Sequence, residues 1–134
     1  MSQPTVLSVM LIVPDAAAAV RWYEEALGAT VLWDLGGVAG LAVDGSAFFL
    51  HEINPANPSE TSPEHAGATS ARIEVFVDDP DAVIARAVRA GAPSSHRPTD
   101  HEVPWGRHRQ GGFVDPFGHV WSVGDRSPLN PAPR

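Results

Sequence analysis

The sequence predicts an α+β protein made of two βαβββ modules that pack together. Three observations carry this. The pattern Val13-Pro14-Asp15, a helix-spaced segment and Gly28-Ala29 returns as Val77-Asp78-Asp79, a second such segment and Gly91-Ala92, with Val-to-Gly separations of 15 and 14 residues. Strand-like alternation follows each helix pattern. The run Asp115-Pro116-Phe117-Gly118-His119-Val120-Trp121-Ser122-Val123 then reads as a tight turn feeding a last strand. In it Pro116 presets φ, Asp115 caps the turn and Gly118 takes the left-handed conformation.

Residues 5–13 (TVLSVMLIV) are apolar and β-branched, a mostly buried strand. Asp15 caps a helix over residues 16–27, and Gly28 stops it. Ala16, Ala19, Val20, Tyr23, Ala26 and Leu27 share its apolar face, with Arg21, Glu24 and Glu25 turned away. Strands are expected at residues 30–35 and 38–43, and the Asp44-Gly45 hairpin leads to a fourth at 47–53. Residues 54–69, rich in Pro, Ser, Asn and Glu without a period, form a linker. The second module opens with a strand at residues 72–77 (RIEVFV). Asp79 caps a helix with Pro80 at its first position and an apolar stripe of Val83, Ile84, Ala87 and Val88. Residues 94–97 read as a short strand, 98–106 as a loop and 107–114 as a strand. The tail carries Pro128, Pro131 and Pro133 and reads as an extended or disordered arm. The expected organisation is one domain over residues 1–134, with modules at 5–53 and 70–124, the linker at 54–69 and the tail at 125–134.

Composition narrows the function. The net charge is −7, which disfavours a nucleic-acid partner. No cysteine is present, so disulfides and thiolate chemistry are excluded. All nine basic residues are Arg, which excludes a lysine Schiff base. No membrane-length apolar run and no signal-peptide layout is found, so a soluble cytoplasmic protein is expected, with no membrane partner.

The Asp115–Val123 motif, preceded by Pro104-Trp105-Gly106, together with the duplicated plan, resembles the vicinal oxygen chelate superfamily of glyoxalase, bleomycin-resistance and dioxygenase proteins. The resemblance covers residues 5–124. It implies curved mixed sheets that pair to enclose a cavity, a homodimer, and in the enzymes a divalent metal held by four His or Glu side chains. Carried onto this chain, the ligand positions fall on Ser8, Arg72 and Ser122, and for the second on Phe49, with His51 and Glu52 as other candidates. Hydroxyls are poor neutral ligands and Arg is a permanent cation, so no metal and no cofactor is expected. The spacing from Trp105-Gly106 to Asp115-Pro116 carries one extra residue relative to the family, and Gly111-Gly112 is the expected host of a bulge.

Alternation puts Arg72, Glu74 and Phe76 on one strand face. If that face meets the cavity, Arg72 and Glu74 orient a polar ligand, or Glu74 moves a proton; otherwise they form a structural ion pair. Trp105 stacks on a flat ligand or anchors its loop, and Trp33 lines the site or packs in the core. Met10, His51 and His108 complete the candidate lining, while His119 stabilises its turn by a hydrogen bond. None of the six histidines shows zinc-motif spacing. Three functions fit. The first is a metal-independent protein that sequesters an aromatic or polycyclic compound. The second is an enzyme (isomerase, cyclase, lyase, hydrolase or dioxygenase) using Glu74 as base or a metal at His51, Glu52 and Glu74. The third is a scaffold with an unused cavity.

Overall fold

Local signals set the first module. In the computed structural model, which describes residues 2–131, Asp15 accepts from the Ala18 amide (3.1 Å) and starts α1 (Ala16–Leu27). Gly28, at φ 66°, ends it. Around it lie β1 (Met10–Val13), β2 (Thr30–Asp34), β3 (Val38–Val43) and β4 (Ser46–Glu52), in the spatial order β1-β4-β3-β2. The second module repeats this plan. Its elements are β5 (Arg72–Phe76), α3 (Pro80–Arg89), β6 (Ser94–Val103), β7 (Gly106–Val114) and β8 (Val120–Gly124), ordered β5-β8-β7-β6, with a short α2 (Pro63–Ala66) before them. In each sheet the first and last strands pair in parallel and the remaining neighbours are antiparallel.

One face of each sheet builds a shared core. Leu11, Val13, Ala39, Leu41, Phe48 and Leu50 of the first sheet meet α1, and Phe113, Trp121 and Val123 of the second join them. Tyr23 bridges the two, with ring centroids 5.5 Å from both Phe48 and Trp121. Trp121 stacks on Phe113 at 5.8 Å and 8°. The helices are tied as well. Arg86 of α3 donates from Nε to the Glu25 carbonyl (2.7 Å), placing a cation at the negative end of α1. The modules therefore pack through their helix sides, and the opposite face of each sheet is left open.

The structure differs from the sequence reading at several points. Only Met10–Val13 of the first apolar run is strand, and Val6 and Leu7 are 83% and 96% exposed, because no strand among the described residues lies beyond the free edge of β1. Residues 98–106 are not a loop: β6 continues to Val103 and turns tightly into β7. As an edge strand it holds Pro98 and several charges, so no apolar alternation betrays it. The bulge lies in β6 at residues 97–98, opposite Gly111, rather than at Gly111-Gly112. Pro98 lacks the N–H that this rung would use, and a Cβ at Gly111 would stand 2.7 Å from Pro98 N. On the helices, Trp22 joins the buried face through a bond from Nε1 to the Ala90 carbonyl (2.9 Å). Val88 is instead 46% exposed. The linker includes α2, and the tail forms a 3-10 turn at Ser127–Leu129; Pro133 lies outside the described residues. The two sheets are not closed into a barrel, so the space between the modules is an open cleft rather than an enclosed cavity. No helix among the described residues is long and apolar enough to cross a membrane.

Candidate functional site

The open faces follow from strand alternation. With Leu11 and Leu50 turned to the core, Met10 and Phe49 face the other way. With Trp121 and Val123 in the core, Ser122 and Gly124 do the same, as do Arg72, Glu74 and Phe76 beside them. The registers match: Met10 pairs with Phe49, and Glu74 pairs with Ser122. Ser8 and Arg72 stand two residues before the first member of each pair. The four positions implied by resemblance as metal ligands are thus equivalent between modules, and Phe49 is the counterpart of Ser122.

As donors these residues do not fit a divalent metal. Phe49 offers no lone pair, and Arg72 brings a positive charge. Ser8 donates from Oγ to the Ala47 carbonyl (2.6 Å), and Ser122 Oγ accepts from the Gln110 amide. His51, Glu52 and Glu74 are not brought together: among the described residues no three His, Asp or Glu side chains converge. Glu52 instead accepts from the Ala16 amide (3.1 Å), serving the start of α1, and His51 Nδ1 lies 2.6 Å from the Glu52 carbonyl.

On the first sheet's open face an irregularity in the pairing of β2 and β3, between Val31 and Trp33, sets Trp33 opposite Gly40. The indole lies over that glycine, where a Cβ would come within 2.7 Å of it, and stacks on Phe49 at 5.9 Å and 29°. Trp33 is 39% exposed and so is not plain core. The result is an aromatic shelf open to solvent.

A cleft of about 620 Å³ runs along β5 between the modules. Ser8, Arg72, Glu74 and Phe76 line it, with Ala47 and Phe48 opposite. Arg72 pairs with Glu74 (3.2 Å), both side chains well exposed. Met10 borders a smaller recess of about 310 Å³ on the far side of β1. Phe49, His51, Trp33, Ser122, His108 and Trp105 lie outside the cleft lining.

Trp105 sits at the tip of the β6–β7 hairpin and donates to Ser127 Oγ (3.0 Å), which makes it an anchor for the tail turn. Beside it His108 is almost buried, its Nδ1 2.7 Å from Asp125 Oδ1. Burial alone raises the Asp125 carboxyl. Hydrogen bonds from the Arg109 amide, His108 and Ser127 outweigh burial and hold it well below the usual carboxylate range.

The turn motif does structural work that the sequence only partly announced. Asp115, 1% exposed, accepts from the Phe117 and His119 amides (2.9 and 3.0 Å), Trp121 Nε1 (2.9 Å) and the Tyr23 hydroxyl. Burial, and then the Asp115 charge, push the Tyr23 hydroxyl well above its ordinary value. The His119 side chain does not bond within its own turn as expected; its Nε2 donates across modules to the Ile12 carbonyl (2.8 Å), and only its amide serves the turn. Gln110, Asp125 and Tyr23 were missed as polar partners. For Asp125 the only signal was an acidic residue just past the last strand.

The sequence profile of the Glyoxalase/Bleomycin resistance protein/Dioxygenase superfamily matches residues 5–123. The chain belongs to this superfamily. It is 35% identical over 126 residues to an uncharacterised protein of Mycobacterium bovis, covering 88% of this chain and 81% of that one. An uncharacterised protein of Mycobacterium tuberculosis matches at the same identity, over 88% and 72%. Among solved structures, TioX from Micromonospora sp. ML1 superposes with a TM-score of 0.69 at 25% identity, covering 91% of this chain and 98% of that one. The fosfomycin resistance protein FosX from Mesorhizobium loti shares the fold, with a TM-score of 0.65, 16% identity and 93% coverage of each chain. In this superfamily member, then, the paired-module backbone is kept while the implied metal positions hold other chemistry.

Proposed function

We propose that this superfamily member binds and sequesters a flat aromatic or polycyclic compound without a metal ion, in the manner of a resistance protein. The observation that carries the reading is the solvent-open shelf of Trp33 stacked on Phe49. Exposed aromatic area of this kind is what a planar ligand covers. Arg72 and Glu74 offer polar groups in the cleft along β5, apart from this shelf. The similarity to FosX supports the fold of this reading and nothing finer. A cytoplasmic homodimer completes it: Val6, Leu7, Val9 and Met10 are exposed along the free edge of β1, an apolar strip suited to a second copy of the chain.

The test is a titration with the methyl ether of β-naphthol, followed by quenching of tryptophan fluorescence. Saturable binding that weakens about tenfold in Trp33→Ala is expected. Saturable heat on adding Mn, Ni or Zn ions would overturn metal independence. Native mass spectrometry reads the dimer in the same samples. A second reading rests on the exposure of Glu74 in the cleft: an enzyme acting on a small metabolite with Glu74 as base.

A further inference from the structure

Residues 2–7 form an arm that its own sheet cannot use. Met10 pairs with Phe49, so the register carries Ser8 to Ala47 and Leu7 to Ser46, where β4 begins. The chain is tied to β4 as far as Ser8: Phe49 N donates to the Val9 carbonyl (3.0 Å), and Ser8 Oγ to the Ala47 carbonyl (2.6 Å). Val6 and the residues before it therefore run past the end of the sheet. Val6 is 83% and Leu7 96% exposed, and no residue from 2 to 9 is charged. Thr5 and Val6 are β-branched, which suits a strand, yet no strand pairs with them.

The second sheet has the opposite deficit. Val77 N donates to the Gly124 carbonyl (2.8 Å), so by alternation Ile73, Val75 and Val77 turn their backbone groups to β8. Those of Arg72, Glu74 and Phe76 turn to the free edge, beyond which no strand among the described residues lies. This edge lines the cleft of about 620 Å³, and Leu7, Ser8 and Val9 of the same chain line it too. No backbone hydrogen bond among the described residues joins those three to β5.

The chemistry of the cleft selects its occupant. Its walls are largely apolar, with Phe48 and Trp121 of the core among them. A hydrocarbon or aromatic guest covers such walls but leaves the outward amides and carbonyls of β5 buried without partners, which is unfavourable. An extended chain covers the same walls and pairs those groups. Residues 2–7 span about 20 Å when extended, against about 17 Å for the five residues of β5. The chain's own arm is held to β4 at Ser8 and points past the hairpin, so an arm that meets this edge belongs to another molecule.

We propose that a second copy of this chain completes the cleft, laying its residues 2–7 against the free edge of β5 as an added strand. The proposal rests on the homodimer read above from the same apolar strip and names where that strip docks. A two-fold pair exchanges two arms, so each copy both gives a strand and receives one. Pro4 lacks an N–H, so Thr5, Val6 and Leu7 carry the pairing. The uncharged arm leaves no charge unpaired beside Arg72 and Glu74, which already neutralise each other at 3.2 Å.

The chain has no cysteine, so introduced cysteines report contacts without background. A tagged copy carrying Val6→Cys is co-expressed with an untagged copy carrying Phe76→Cys and treated with a short dimaleimide. A tagged–untagged covalent dimer is expected, about tenfold more abundant than with Val88→Cys, which is exposed on α3 and outside the cleft lining. Val6→Cys and Phe76→Cys placed in one chain should likewise give dimer rather than a monomer closed on itself. Leu7→Asp should weaken the dimer about tenfold or more, read by native mass spectrometry at graded concentrations. A wild-type dimer without the Val6–Phe76 product, a closed monomer in the double variant, or undiminished dimerisation of Leu7→Asp overturns this inference and leaves the homodimer reading standing. A wild type that stays monomeric removes both.

Discussion

The open faces of the two sheets share one backbone plan and carry opposite chemistry. In the first sheet the cross-strand pair is Met10 with Phe49, and Trp33 stacks beside it. At the matching place in the second it is Glu74 with Ser122, flanked by Arg72, Gln110 and His108. Both faces use the same device, a glycine under a ring: Gly40 beneath Trp33, and Gly124 beneath His108. The helix-side faces differ far less, since both fill one aromatic core. The contrast teaches that the core needs the duplicated geometry, while the open faces are free to carry an aromatic stack on one sheet and polar groups on the other.

The largest effect should come from the point both modules share. Asp115→Ala strands the Tyr23 hydroxyl, Trp121 Nε1 and two amides in a dry core. A loss of about 3–5 kcal/mol in urea unfolding is expected. A loss below about 1 kcal/mol would show that the two sheets are held together without this carboxylate, and the shared-core half of the comparison would break.

Tyr23 gives that shared core a pH signature. Its hydroxyl titrates higher in the folded chain than in the unfolded one, through burial and then the Asp115 charge. Above about pH 10 the unfolded chain has released a proton that the folded chain keeps. Stability from this group is therefore complete below that pH and declines as pH rises further. Tyr23→Phe should be less stable at neutral pH, having lost its bond to Asp115, yet show a shallower alkaline decline in melting temperature. An unchanged alkaline slope would mean that another group sets it.

The two glycines test the open faces separately. Gly40→Ala puts a methyl 2.7 Å from the indole of Trp33, and Gly124→Ala puts one 2.7 Å from the imidazole of His108. Each ring must move off its site. Gly40→Ala should weaken binding of β-naphthol's methyl ether about fivefold to tenfold. Gly124→Ala should leave that binding unchanged. If both substitutions weakened the probe, the two faces would form one coupled surface and the comparison would break.

Much of the helix side was legible in the sequence, because burial imposes periodicity. Asp15 and Asp79 as caps, Gly28 as a stop and the Asp115 turn all sit where local chemistry demands them. The long polar β6 was not legible: an edge strand has no buried face to write an alternation. Nor was the exposure of residues 5–9, because an apolar composition reads as buried whether or not the fold covers it. On the open faces, Arg72, Glu74 and Phe76 were readable as one side of a strand. The Trp33–Phe49 stack and the His108–Asp125 pair were not. Both join residues from different strands, through a bulge in one case and a tail turn in the other, and neither leaves a spacing in the chain.

The smallest effect is expected at the position where the two faces differ most in charge. Glu74 corresponds to Met10, pairs with Arg72 at 3.2 Å and is 40% exposed. An exposed pair of this kind contributes little to stability, so Glu74→Gln should melt within about a degree of the wild type. On the proposed reading its binding of β-naphthol's methyl ether should be unchanged, because that reading assigns the affinity to Trp33 and Phe49. The same variant separates binder from enzyme. Glutamine keeps the shape of the side chain and cannot take up a proton, so a reaction that uses this carboxylate as base would slow by at least a hundredfold. If a turnover found for the wild type fell that far in Glu74→Gln, the polar face would be a catalytic wall rather than a recognition wall. Arg72 would then be the group that orients its base.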